Sequence, residues 1–136
     1  MSQSNPIGKT KSQGWEIGVR RTLPVTLGKA WSMILTALGV AQVDTGELVY
    51  KKGIAFETAD ETRVEIVSYE EGSLMRMRWQ PRGWDVSSTL QIRVLPTKTG
   101  STISVHHEQL QDADQREAMR LQWTALLDEL RASVTS

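Results

Sequence analysis

The chain contains no cysteine. That excludes a disulfide framework and any thiol chemistry. It also has no net charge, with 16 basic residues set against 16 acidic ones. A dedicated nucleic-acid binder carries a basic excess, so a nucleic-acid partner is not expected. No apolar run approaches the roughly 20 residues of a membrane span. The N-terminus lacks the apolar stretch of a secretory signal, so the expectation is a cytoplasmic protein with no membrane span. There is no internal repeat, no Gly-rich phosphate loop, no Gly-x-Ser-x-Gly elbow and no His-Glu-x-x-His pair, which removes the common sequence marks of nucleotide, serine-hydrolase and zinc-peptidase chemistry.

What remains is a chain of 136 residues, 39% of them hydrophobic. That is the size of one domain, and such a chain buries about 70% of its unfolded surface. Residues 1–14 are polar and rich in turn formers and read as a flexible N-terminal tail, with the single domain over 15–136.

Asp114 to Val134 forms the longest patterned stretch. Met119, Trp123, Leu126, Leu127, Leu130 and Val134 recur at spacings of three and four, as on one face of a helix. Asp114 and Glu117 have the spacing of a capping box and would start that helix. Ahead of it the period changes. Trp15, Ile17 and Val19 alternate with polar residues, as in a strand that Pro24 ends. Thr26 can cap a short helix that buries Trp31, Ile34 and Leu35 and stops at Gly39. Residues 40–46 are ambiguous, with a turn at 44–46, and Glu47–Lys51 has a strand-like pattern.

From there short alternating segments follow at 54–58, 63–69, 74–79, 89–94 and 102–107, joined by short turns and by one longer connection at 80–85. That spacing implies antiparallel pairing. One face of the sheet is apolar, with Phe56, Val64, Ile66, Met75, Met77, Trp79, Leu90, Ile92, Val94, Ile103 and Val105. The other carries Glu65, Arg76, Arg78, Gln91, Arg93, His106 and Glu108, in position to pair across strands. The long helix is expected to lie on the apolar face. The fold class is α+β, with about six antiparallel strands around a long C-terminal helix.

Strand, short helix, antiparallel meander and long helix follow one another as in the helix-grip arrangement. The segments Trp15-Glu16-Ile17, Thr22-Leu23-Pro24, Ala30-Trp31, Leu74 to Pro81, Ser88 to Val94, Gly100 to Ser104 and His107-Glu108 through Leu127 resemble the bacterial homologues of the heat-shock-protein ATPase activator. These belong to the START-like, polyketide-cyclase-related superfamily. The resemblance spans about residues 15–132. One departure stands out: where the family commonly has a second short helix around Trp-Leu-Gly, this chain has Leu38-Gly39-Val40-Ala41-Gln42-Val43. The resemblance implies a cavity between sheet and long helix that holds an apolar or amphipathic molecule. It does not by itself fix a function.

Trp31, Phe56, Met77, Trp79, Ile92, His107, Met119 and Trp123 are the residues that would line such a cavity. The alternative is that they are simply core. His107 is the polar one among them. It can serve as a general acid or base in a cyclase-like enzyme, or it is a buried histidine held by structural partners. His106 and Glu108 share the opposite face and supply two ligand groups, fewer than the three protein ligands of a catalytic zinc site, so no metal or other cofactor is expected. Trp84 lies in a Pro/Gly connection. It is either part of an interaction surface or folds back over the sheet. Three functions follow: a non-enzymatic binding module for a small hydrophobic or amphipathic ligand, a protein-interaction domain that docks on a chaperone or forms a homodimer, and an enzyme built on His107.

Overall fold

A computed structural model describes residues 9–10, 14–40 and 52–135. Among these, seven strands form one antiparallel sheet. They are β1 (Lys9–Thr10), β2 (Gly14–Leu23), β3 (Ala55–Glu57), β4 (Arg63–Glu70), β5 (Leu74–Gln80), β6 (Ser88–Pro96) and β7 (Ser101–Leu110). The helices are α1 (Leu27–Leu38) and α2 (Ala113–Thr135). The sheet order is β1-β2-β7-β6-β5-β4-β3. From β3 to β7 the chain is a meander, and β7 then pairs with β2 from the start of the domain. Of the expected tail, Lys9–Thr10 pair with Trp15 and Gly14; its other residues through Gln13 lie outside the described residues. So do the expected turn at 44–46 and the strand-like 47–51.

α1 forms as its sequence predicts. The Thr26 side chain accepts from the backbone N–H of Lys29, which satisfies one of the donors left open by a first turn. Gly39, at φ 79°, ends the helix. Its N–H and that of Val40 turn back to Thr36 and Leu35, a reversal that needs a left-handed residue. Ala30, Trp31, Ile34, Leu35 and Leu38 face the core.

Two β-bulges set which side chains share a face. The first falls between Ile66 and Ser68 on β4. It reverses the alternation and puts Tyr69 opposite Met75, where its ring meets Trp31 with centroids 6.1 Å apart. The second lies where β2 pairs with the end of β7, between Trp15 and Ile17. Two β7 residues, Glu108 and Gln109, there oppose Glu16 alone, and Gln109 takes a φ of 62°. A bulge of this kind re-aims the side chains around it.

α2 departs from expectation in three ways. It starts earlier: Asp112 Oδ1 accepts from the N–H of Gln115, and Gln115 reaches back to the N–H of Gln111. The capping pair is therefore Asp112 and Gln115. Glu117 instead binds Arg120, three residues on. The stripe is also narrower: Met119, Trp123 and Leu127 are buried, whereas Leu126, Leu130 and Val134 are half-buried. Finally, α2 does not cover the whole apolar face. It lies along β2 and β7, while α1 packs on β6 and β7. The cause is topological. The chain leaving β7 reverses within two residues, so the helix it enters runs back over β7 and its neighbour β2. Arg116 Nε to the Glu16 carbonyl (2.9 Å) and Arg21 Nε to Asp128 Oδ1 (2.7 Å) tie α2 to β2.

Candidate functional site

The inner face of the sheet meets α2 at His107. β7 parity points its ring inward, and it is 0% exposed. The Trp123 indole donates to His107 Nδ1 at 3.0 Å. An indole N–H can only donate, so Nδ1 carries no proton and the proton sits on Nε2. His107 Nε2 lies 2.7 Å from Ser88 Oγ. The Ser88 hydroxyl donates in turn to the Trp79 carbonyl at 2.6 Å. The result is a directed chain, Trp123 to His107 to Ser88 to Trp79, in which every proton has one place.

Aromatic rings enclose the imidazole. Trp84 stacks on it, with centroids 6.1 Å apart and planes 16° from parallel. Trp123 sits tilted at 5.8 Å. Trp79 meets Trp123 edge-on at 6.1 Å. This apolar setting disfavours the charged ring: burial, and secondarily the charge of His106, lowers the His107 pKa to about 3.

The arrangement limits what His107 can do. A general base needs a free lone pair near neutral pH. The Nδ1 lone pair of His107 is taken by Trp123, and Nε2 points a proton at Ser88. Ser88 is 1% exposed and donates to a carbonyl. The close Ser–His pair is thus polarised in the wrong sense for a nucleophile and its base. Its geometry is that of a structural histidine.

The outer face holds a second cluster. His106 Nε2 lies 2.7 Å from Glu16 Oε1, and His106 Nδ1 lies 3.9 Å from Glu108 Oε2. Arg76 donates to Glu108 Oε1 at 2.8 Å and to Gln91 Oε1 at 3.1 Å. These residues cross four adjacent strands from β2 to β5. Gly18 is the β2 partner of His106, and a Cβ there would make an ordinary contact with the ring, 3.7 Å from Cδ2. Glu16 thus supplies a third ligand-type group, brought beside His106 by the pairing of β2 with β7.

A family profile described as "Activator of Hsp90 ATPase homolog 1-like protein" matches residues 22–135. The chain belongs to this family. No curated protein sequence matches it. Solved structures of low identity share the fold. CalU16 from Micromonospora echinospora superposes with a TM-score of 0.70 at 15% identity, over 90% of this chain and 76% of that one. MLL2253 from Mesorhizobium loti gives 0.66 at 18%, over 86% and 94%. The Aha1 dimer from Colwellia psychrerythraea gives 0.64 at 12%, over 88% and 95%.

Within the Hsp90-activator-like fold, the eight expected lining residues lie as follows. Trp31, Met77, Trp79, Ile92, His107, Met119 and Trp123 are all buried, and Phe56 is half-buried. Trp79, His107 and Trp123 come together as one cluster. Phe56 instead borders a groove of about 530 Å³ beside β3 and β4, along with Glu57, Arg63, Glu65 and Arg78. Trp84 folds back onto the inner face, half-buried, and also borders a groove of about 260 Å³ on its outer side. Its loop is held by the Trp84 N–H to the Pro81 carbonyl and by Gln80 Nε2 to the Trp84 carbonyl at 2.6 Å. Ser88 was missing from the sequence-derived site. Its signal lay in the register: with Leu90 opposite His107, Ser88 is the diagonal neighbour on the same face. No helix among the described residues is long and apolar enough to cross a membrane.

Proposed function

We propose that this domain is a non-enzymatic binding module for a small apolar or amphipathic molecule. The molecule would lie against the inner face of the sheet and displace Trp84. The observation that carries this reading is the stacking of Trp84 on His107. Trp84 belongs to the β5–β6 connection and not to a strand, so it can move without breaking the sheet ladder. Its departure would uncover the flat face of His107, which adjoins Trp123 and, through it, Trp79. Met77 and Met119 would adapt to the ligand outline, and Trp31 and Ile92 would complete the apolar lining. The closed hydrogen-bond chain at His107 supports a binding role over an enzymatic one. No cofactor enters this reading, and the composition supports a cytoplasmic setting.

The test is titration of an apolar fluorescent probe, 1-anilinonaphthalene-8-sulfonate, into the wild type and Trp84→Ala. The reading expects saturable binding with quenching of the buried tryptophans, and tighter binding in Trp84→Ala. Absence of saturable binding in both proteins would exclude it.

A second reading rests on the groove of about 530 Å³ beside β3. It combines the Phe56 ring with charges of both signs, which suits a peptide segment of a chaperone or a second copy of the chain. The relative from Colwellia psychrerythraea is described as a dimer. Sedimentation across a concentration series, repeated with Phe56→Glu, tests self-association. A monomer at every concentration counts against that form.

A further inference from the structure

We propose that Glu16, His106 and Glu108 bind a divalent transition-metal ion of the Zn²⁺ class on the outer face of the sheet. The three side chains come from two adjacent strands, and one ligand atom from each lies within 4.8 Å of the others. Two carboxylate oxygens and one imidazole nitrogen form a donor set that borderline ions accept. With three protein ligands a position remains open for water, as in sites that are not closed structural ones.

Three features of the fold bring the set together. The bulge at Glu108–Gln109 places both of these residues opposite Glu16. Gly18 pairs with His106 across the β2–β7 ladder and seats the imidazole beside β2. Arg76 grips Glu108 through Oε1 only, leaving Oε2 turned towards His106. That grip fixes the carboxylate, as outer-shell partners of metal ligands do. The charges also fit: two carboxylates against one guanidinium leave a net negative charge beside the imidazole for a cation to offset. The Glu108 side chain is 6% exposed, whereas Glu16 and His106 are 22% and 35% exposed. One ligand is therefore fixed and two can move. Glu16 meets Nε2 of the ring and Glu108 faces Nδ1; an ion takes one ring nitrogen, with zinc bonds of about 2.0–2.2 Å, so the two freer side chains must turn to bring both carboxylates to it. A groove of about 460 Å³ bordered by His106, Gly18 and Gln91 opens beside the imidazole.

The composition makes the test clean. The chain has two histidines and no cysteine, and His107 is buried with its Nδ1 and Nε2 both engaged. His106 is thus the one imidazole an ion can reach. ZnCl₂ titrated by calorimetry into the full chain at neutral pH should show one ion bound per chain. Affinity should fall by at least roughly tenfold in His106→Ala and in Glu108→Gln. It should stay unchanged in Glu129→Gln, an exposed acid on α2. Zn²⁺ should raise the melting temperature of the wild type and not that of His106→Ala, because the ion would tie β2 to β7 in the folded state alone. No binding with Zn²⁺ up to about 1 mM, a concentration that would reveal even weak association, would overturn the proposal. So would binding that His106→Ala leaves within a factor of about two of the wild type. Should Glu108→Gln fail to fold, His106→Ala decides alone.

Discussion

Trp123 Nε1 donates to His107 Nδ1 across 3.0 Å, joining the middle of α2 to the inner face of β7. One bond fixes both the tautomer of the histidine and the seating of the helix. Trp123 is 1% exposed, so Trp123→Ala should cost about 3–5 kcal/mol in urea unfolding. Trp123→Phe keeps most of the apolar contact but leaves Nδ1 without a donor, and should cost about 1–3 kcal/mol. A much smaller loss for Trp123→Ala would mean the helix stands off the sheet there.

His107 also makes stability depend on pH. Its folded-state pKa is lowered from 6.5 to about 3, chiefly by burial. Between those values the unfolded chain binds the proton and the folded one does not. The contribution is therefore complete above the unfolded-state pKa and is lost progressively as pH falls towards the folded value. Its full size is about 4–5 kcal/mol. Unfolding midpoints measured down the acid range should fall steeply below pH 6.5. The His107 ring resonances should stay flat until the protein unfolds.

Gly100 has a purely steric role. A Cβ there would stand 2.0 Å from the Leu23 carbonyl oxygen and 2.9 Å from the Pro24 Cα. These are backbone atoms and cannot swing aside. Nearby, Ser101 Oγ donates to the Val25 carbonyl and Thr22 meets Thr102, so the β6–β7 turn is fastened to the end of β2. Gly100→Ala should cost at least about 1–3 kcal/mol, with the melting temperature as readout. Gly28, where a Cβ meets nothing within 4 Å, is the matching control.

The start of α2 separates two aspartates. Asp112→Ala removes the side chain that accepts from Gln115 and should cost about 1 kcal/mol. Asp114→Asn removes only a charge near the helix N-terminus and should cost about 0.3 kcal/mol. Chemical denaturation of both variants checks the order. The opposite order would place the cap at Asp114.

Periodicity made most of the fold legible in the sequence. The alternation of Met75, Met77 and Trp79, the cap at Thr26 and the stop at Gly39 each depend on neighbours in the chain, and each appears in the structure. What depends on residues far apart was less accessible. The bulge on β4 turns Tyr69 inward, although simple alternation from Val64 and Ile66 points it out. The bulge on β7 brings Glu108 towards Glu16, more than 90 residues earlier in the chain. The helix cap slipped by two residues because Asp112-x-x-Gln115 and Asp114-x-x-Glu117 both have the capping spacing, and only the reversal after β7 selects between them. At the site, strand parity correctly turned His107 inward. Its partners Ser88 and Trp123 required the register of β6 on β7 and the seating of α2, neither of which is written locally.

The pairing of β2 with β7 has a consequence in time. The two strands on which α2 rests are separated by nearly the whole meander, so the platform for the helix does not exist until the chain has been made past residue 110. Contacts this distant in sequence close slowly. During synthesis, β2 with its apolar Ile17 and Val19 must wait for β7, which follows the rest of the meander. Sheet closure and helix docking then become one late, cooperative event, and substitutions at Gly18, Gly100 or Leu110 should act first on how fast the domain folds.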